Sequence, residues 1–277
     1  MAALAIPRRG AGLALACATS AAAQTPDVVF VPTSVDVALT MLRIAGVGDS
    51  DVVYDLGSGD GRLVISAAKR FGARGVGIDI DPDRVADGIR NADTAGVTDR
   101  VAFRQADLFD TDLRPATVVT LYLTSSLNER LRPKLLRELR PGSRVVSNNF
   151  DMGAWTPDSV AYVQGKAMAR TPVHFWVIPA DARGRWTVTW DGLPPIRLAI
   201  EQRFQQATGI ATIGGRRSEL ASARLRGDSI TFSIPGNGEG GTMRFAGRVS
   251  GDSARGTVTA GAGAAPRAWR AIRTQAD

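Results

Sequence analysis

Residues 51–62 read Asp-Val-Val-Tyr-Asp-Leu-Gly-Ser-Gly-Asp-Gly-Arg and constrain the fold more than any other stretch of the chain. An apolar run, Val52-Val53-Tyr54, leads into an acid, Asp55, and then into glycines at alternate positions, Gly57, Gly59 and Gly61. A helical pattern follows in Leu63, Val64, Ala67 and Ala68. The order is strand, tight turn, helix, which brings backbone N–H groups to a ligand at the C-terminal end of a strand. The turn lacks the dinucleotide spacing G-x-G-x-x-G, since its third glycine comes one residue early and position 62 is Arg. Taken alone it is equally compatible with a structural bend, because positive φ calls for glycine whatever the turn binds.

The segments downstream bear on that choice. Residues 75–79, Gly-Val-Gly-Ile-Asp, predict a second strand with Asp79 at its end, 22 residues past Gly57. An acid about 20 residues beyond a glycine turn is where a doubly wound fold carries a ribose-binding carboxylate. Asp81-Pro82 predicts an N-cap and first turn for a helix over 82–95. A third strand at 101–105 ends at Ala106-Asp107-Leu108. Asp107 by itself is an ordinary turn residue. Three acids at the ends of three successive predicted strands form a pattern.

Alternation of strand and helix continues through the first part of the chain. A helix is expected over 34–45, with Thr33 and Asp36 as its start signal and Val35, Ala38, Leu39 and Leu42 on one face. Strands are expected at 51–56, 75–79, 101–105, 116–123 and 143–149, and helices near 60–71, 82–95 and 125–140, the last broken by Pro133. This is the sequence of an α/β, doubly wound, Rossmann-like parallel sheet. Two more strands, 159–167 and 172–178, would bring it to seven, with the last pair antiparallel. From Asp181 onward helical periodicity stops. Short alternating runs such as Ile230-x-Phe232-x-Ile234 are separated by turns at Gly214-Gly215, Gly236-Asn237-Gly238 and Gly240-Gly241. The expected organisation is therefore an α/β domain over 24–180 and a smaller all-β domain, a sandwich or open barrel, over 181–277. Arg226-Gly227-Asp228-Ser229 and Ser250-Gly251-Asp252-Ser253 echo each other as hairpin turns.

Composition excludes several classes. Net charge is +7, but only three lysines occur (Lys69, Lys134, Lys166) and no tract of clustered basic residues appears, so nucleic-acid binding is not supported. A basic surface is compatible with peripheral attachment to an anionic membrane. The single cysteine, Cys17, allows no intrachain disulfide, and no Cys/His cluster offers a metal site. His174, the one histidine, sits in a strand-like run without a sequence partner and reads as structural. Residues 1–23 have Arg8-Arg9, an Ala/Leu run from Ala11 to Ala16 and then Ala21-Ala22-Ala23, the order of a secretory signal peptide. The expected location is periplasmic or secreted, or cytoplasmic if the leader is not used.

The D-x-G-x-G-x-G turn with Asp79 and Asp107 resembles class I S-adenosylmethionine (SAM) methyltransferases. Phe30-Val31-Pro32-Thr33, the turn itself, Ser147-Asn148-Asn149-Phe150-Asp151 and Trp155-Thr156-Pro157-Asp158 narrow the resemblance. They resemble the seven-strand protein-lysine N-methyltransferases that include the enzymes acting on the ATP synthase c subunit. Thr120-Leu121-Tyr122-Leu123 and Leu131-Arg132-Pro133-Lys134-Leu135 are similar to exported bacterial members. The resemblance covers residues 28–180. It implies SAM as cofactor, with Asp55, Gly57, Ser58, Gly59 and Gly61 around its methionine part, Asp79 on the ribose, and Asp107 with the Leu108 backbone on the adenine. Pro32 and Thr33 would form a cover, and Leu123 and Thr124 would line the methyl-donor mouth, with Tyr122, Phe150 and Trp155 as its walls. The implied activity is in-line methyl transfer to a protein lysine. The alternatives are a methyltransferase for a small molecule or lipid, and an exported binding protein without catalysis. SAM is made in the cytoplasm, so the leader and the cofactor point to different compartments.

Overall fold

A computed structural model of the chain describes residues 32–164, 170–190, 194–236, 241–261 and 264–274. The leader over 1–23, Cys17, Phe30-Val31, Lys166 and the turn residues 237–240 lie outside the described residues.

Seven strands form the first sheet: β1 (Val52–Leu56), β2 (Arg74–Asp79), β3 (Val101–Gln105), β4 (Val118–Leu121), β5 (Arg144–Asn148), β6 (Ser159–Gln164) and β7 (Arg170–Val177). Their order is β3-β2-β1-β4-β5-β7-β6. The first five are parallel, and β7 runs antiparallel to both β5 and β6. Strands covered on both faces read as nearly continuous apolar runs, as β4 does with all four residues buried. Helices α1 (Val35–Ile44), α2 (Arg62–Phe71) and α3 (Pro82–Ala95) lie along one side, where Met41, Leu42, Leu63 and Val64 join Val53, Val118 and Val146. Helix α4 (Ser125–Glu138) covers the other side through Leu127, Leu131 and Leu135 against Leu56, Val119 and Trp176.

Two local expectations are corrected. The cap of α1 is Ser34, whose hydroxyl accepts from the Val37 N–H, and not Thr33, which is buried. Helix α4 is continuous through Pro133. That proline is exposed, and the buried leucine stripe holds both halves to the sheet, which outweighs the one backbone bond that proline forfeits.

The second sheet contains β8 (Gly184–Trp190), β9 (Ile196–Arg203), β10 (Gln206–Ile213), β11 (Arg216–Glu219), β12 (Ala221–Arg226), β13 (Ser229–Ile234), β14 (Met243–Ser250), β15 (Ser253–Ala260) and β16 (Arg267–Thr274). All its pairings are antiparallel; β16 pairs with β8 and β9 with β10, so the sheet closes into a barrel. One edge of β10 faces β9, and the other is divided between β11 and β12. Of the two all-β forms expected, a barrel is the one found, and it is closed. Alternation in β9 (Ile196, Leu198 and Ile200 buried) places every second side chain inside. The echoed turns are two hairpins with Gly227 at φ 60° and Gly251 at φ 57°, and in each the aspartate binds an arginine of a nearby strand, Asp228 with Arg248 and Asp252 with Arg273.

A seam joins the two sheets. The β9–β10 turn carries Phe204 in a left-handed conformation (φ 56°), and its ring stacks on Trp155 at 5.8 Å. Next to it the buried Gln205 accepts from Trp155 Nε1 (2.9 Å) and donates to the Thr156 carbonyl (2.7 Å). Ala180 N–H donates to the Gly227 carbonyl (2.7 Å), and Arg224 pairs with Asp158.

Candidate cofactor and acceptor site

The strand order reverses between β1 and β4, the switch point at which open α/β sheets bind their ligands. Asp55 lies there, flanked in register by Gly77 of β2 and Thr120 of β4. Its carboxylate is buried and accepts from Thr120 Oγ1 at 2.7 Å. Burial pushes the pKa of Asp55 from the ordinary 3.8 up to about 7; the Thr120 bond works against that rise, and the nearby charges of Asp79 and Asp60 add to it. Among the described residues no cation pairs with this acid, so the group is held in a state that a positively charged ligand would relieve.

After Leu56 the chain turns through Gly57 (φ 80°), Gly59 (φ 52°) and Gly61 (φ 79°). The N–H groups of Gly57 and Ser58 both donate to the Ile78 carbonyl, and Gly59 N–H donates to Asp79 Oδ2 at 2.8 Å. The other Asp79 oxygen accepts from Asp81 N–H (3.1 Å), so this carboxylate ties the glycine turn to the start of α3. Asp107 Oδ1 accepts from Phe109 N–H at 2.8 Å and shapes the turn after β3, leaving Leu108 half-buried beside it. Ser58 Oγ is buried and has no hydrogen-bond partner among the described residues.

Gly61 also has a packing role. A Cβ there would come within 2.4 Å of the Phe103 ring, and the same ring excludes a Cβ at Gly77 (2.6 Å) and Gly88 (2.6 Å). Three glycines from the turn, β2 and α3 thus form one hollow filled by a single phenylalanine of β3.

The cover expected from Pro32 and Thr33 is tied down by a residue that motif reading missed. Arg62, first in α2, donates from Nη1 to the Thr33 carbonyl (2.6 Å) and from Nε to Asp60 Oδ1 (2.9 Å). Burial raises the Asp60 pKa, but the bonds and charge of Arg62 outweigh it and hold that carboxyl below the usual range. Pro32 itself is exposed.

On the acceptor side, Leu123 is buried against the turn, 3.1 Å from where a Gly57 Cβ would stand. Thr124 caps α4, its hydroxyl accepting from Leu127 N–H. Tyr122 and Phe150, both half-buried, stack with ring centres 6.2 Å apart at the C-terminal ends of β4 and β5. A second missed residue, the fully buried Asn128 of α4, holds the Phe150 loop. Its Nδ2 lies within 3.2 Å of Ser147 Oγ and the carbonyls of Phe150 and Asp151. Trp155 is corrected: it has no exposed surface and belongs to the seam with the barrel, so it forms no wall open to an acceptor. His174 stacks on Trp176 at 5.8 Å, with Nδ1 buried and unpartnered among the described residues.

A seven-strand sheet of this order, with a glycine turn at the switch point and an acid at the C-terminal end of each of β1, β2 and β3, defines a SAM-dependent methyltransferase. A family model described as the ANTKMT methyltransferase domain matches residues 55–159. A protein-lysine N-methyltransferase of Saccharolobus islandicus is 44% identical over 154 residues, which cover 55% of this chain and 95% of that protein. An adenine nucleotide translocase lysine N-methyltransferase of Mus musculus is 36% identical, over 50% of this chain and 58% of that protein. A crystal structure with S-adenosylhomocysteine, described as an RNA methyltransferase from Salinibacter ruber, shares 54% identity with a TM-score of 0.52, over 55% of this chain and 95% of that one. The chain belongs to the family of the Saccharolobus enzyme. SAM is its cofactor.

Proposed function

We propose that this methyltransferase acts on a lysine ε-amine of a protein. The observation that carries the reading is the match to the Saccharolobus protein-lysine N-methyltransferase over nearly the whole of that protein. The stacked Tyr122 and Phe150 rings support it, since aromatic faces attract amines and their methylated cations.

In the same reading Asp55, Gly57, Ser58 and Gly59 hold the methionine part of SAM under Pro32 and Thr33, Asp79 holds the ribose, and Asp107 with Leu108 holds the adenine. The fit is electrostatic: among the described residues, a buried acid with no cationic partner and a buried hydroxyl with no hydrogen-bond partner, Ser58 Oγ, both border the turn. SAM supplies a methyl carbon already activated by its sulfonium, so no enzyme nucleophile is required. The chain's own residues must hold the acceptor nitrogen in line and exclude water. An acceptor amine must also be neutral when it attacks, so exclusion of water from the mouth has to outweigh the attraction of the rings for its ammonium form.

The test is incubation of the purified protein with SAM carrying a labelled methyl and extract from its own cell. Label that survives nuclease and solvent extraction and is lost to protease is the expected result. Label in RNA, the acceptor favoured by the description of the Salinibacter relative, or in solvent-extractable small molecules or lipids, would overturn the lysine reading. We propose in addition that residues 1–23 direct export. An intact mass of the native protein beginning at Gln24 is expected, and a mass retaining the leader would refute it.

A further inference from the structure

The outer surface of the barrel carries its charge unevenly. Strands β14, β15 and β16 are consecutive neighbours in the ring, and none of the three contains an aspartate or glutamate. Their register sets the outward side chains in rows. Arg248 stands opposite Arg255, and Arg255 stands opposite Arg270. All three are exposed, and residues directly opposite each other share a face, so three guanidiniums line up across three strands. Neighbouring strands lie about 4.8 Å apart, which puts the outer two backbones within about 10 Å. Arg244, four residues before Arg248 on the same face, adds a fourth cation. Of the four, only Arg248 has an acid partner among the described residues, Asp228 in the β12–β13 turn.

Like charges directly opposite each other on a sheet are destabilising. Arg255, set between two other arginines with no acid beside it, carries a cost that a bound anion would offset. Most of the other outward positions are small, among them Ala246, Ser253 and Thr257, so the guanidiniums stand clear of their surroundings. Ile272 is the exception: it follows Arg270 on the outer face of β16 and is 66% exposed. The rings of these strands, Phe245 and Trp269, are turned into the barrel core. Phe204, Gln205, Arg224 and Gly227, which join the barrel to the first domain, lie on none of the three strands. The seam therefore leaves this face open among the described residues.

We propose that this face binds the surface of an anionic membrane. Arg255 and Arg270 would donate to lipid phosphates, for which the planar guanidinium fork is suited, and Ile272 would enter the boundary between headgroups and acyl chains. Two observations favour a bilayer over a nucleic acid. No ring on these strands faces outward to stack on a base, and an exposed isoleucine gains nothing from a sugar-phosphate chain. The site rests on the barrel alone, so its failure would leave the lysine reading untouched.

Sedimentation of the full chain with vesicles tests it, phosphatidylcholine alone being compared with phosphatidylcholine mixed with an equal part of phosphatidylglycerol. Capture by the anionic vesicles only is expected, with release in about 1 M salt, where screening shortens the range of charge to about 3 Å. Arg255→Gln and Arg270→Gln should each weaken partitioning about fivefold, and Ile272→Ser about threefold or more. Arg217→Gln removes the same charge from β11, which pairs only with β10 on the far side of the ring from β15, and should change nothing. SAM affinity should be the same in all four variants. Without vesicles Arg255→Gln should not lower the thermal midpoint, since it relieves a like-charge contact. Capture by neither vesicle, equal capture by both, or an equal loss in Arg217→Gln would overturn the proposal. So would insensitivity to both Arg255→Gln and Arg270→Gln, or displacement from the vesicles by an equal charge of RNA or polyglutamate.

Discussion

Replacement of Asp55 by Asn should stabilise the cofactor-free protein, and by an amount that grows with pH. The folded-state pKa of about 7 lies above the ordinary 3.8, so folding favours the neutral carboxyl and opposes its ionisation. The opposition is absent below pH 4, builds as pH rises, and is complete above the folded value. At about 1.4 kcal/mol per pH unit the full cost comes to about 4 kcal/mol. Only about a third of it is present at pH 5. Asparagine keeps an oxygen for the Thr120 hydroxyl and never ionises, so it avoids the whole cost. Thermal unfolding of both proteins without SAM should therefore show the variant ahead by roughly 5–10 °C more at pH 8 than at pH 5. The same substitution should weaken SAM, and the wild-type affinity for SAM should rise between pH 6 and 8 while that of the variant stays flat. An Asp55→Asn protein that is equally stabilised at both pH values, or destabilised at pH 8, would refute the electrostatic account.

Gly88→Ala places a Cβ against the Phe103 ring and should cost about 1–3 kcal/mol; in a Phe103→Leu background most of that cost should vanish, as chemical denaturation of the double-mutant cycle would show. Phe204→Ala removes the ring stacked on Trp155 and should lower stability by about 2–3 kcal/mol, read as a lower denaturant midpoint. Asn128→Ala frees the Phe150 loop, so KM for the methyl acceptor should rise while calorimetric SAM affinity holds. Asp79→Ala should reduce SAM binding, and an unchanged dissociation constant would remove Asp79 from the site.

Local features were readable where their cause is local. The α3 helix runs over the expected 82–95 because proline at its first position and Asp81 before it are adjacent in sequence. Asp79 could be picked out because it directly follows the run 75–78, and Asp107 because it stands two residues past the expected strand 101–105. Arg62 escaped notice because its partner, the Thr33 carbonyl, is 29 residues away and a carbonyl carries no sequence signal. Asn128 resembled any polar helix residue until the loop 22 residues later folded onto it. Trp155 was misread for the same reason: its hydrogen-bond partner, Gln205, lies 50 residues on, in the other domain. Pro133 misled in the other direction, since burial of the leucine stripe was stronger than a local breaker.

The sequence by itself determined the order of strand, turn and helix and the acids that end β1, β2 and β3, because periodicity and turn chemistry act between near neighbours. Tertiary structure alone decided that Asp55 is held toward its neutral form, that Gly61 packs on Phe103, that Trp155 belongs to a seam, and that eight of the last nine strands close into a ring. Each of these depends on burial or on contacts between residues far apart in the chain, and neither exists until the sheets have formed.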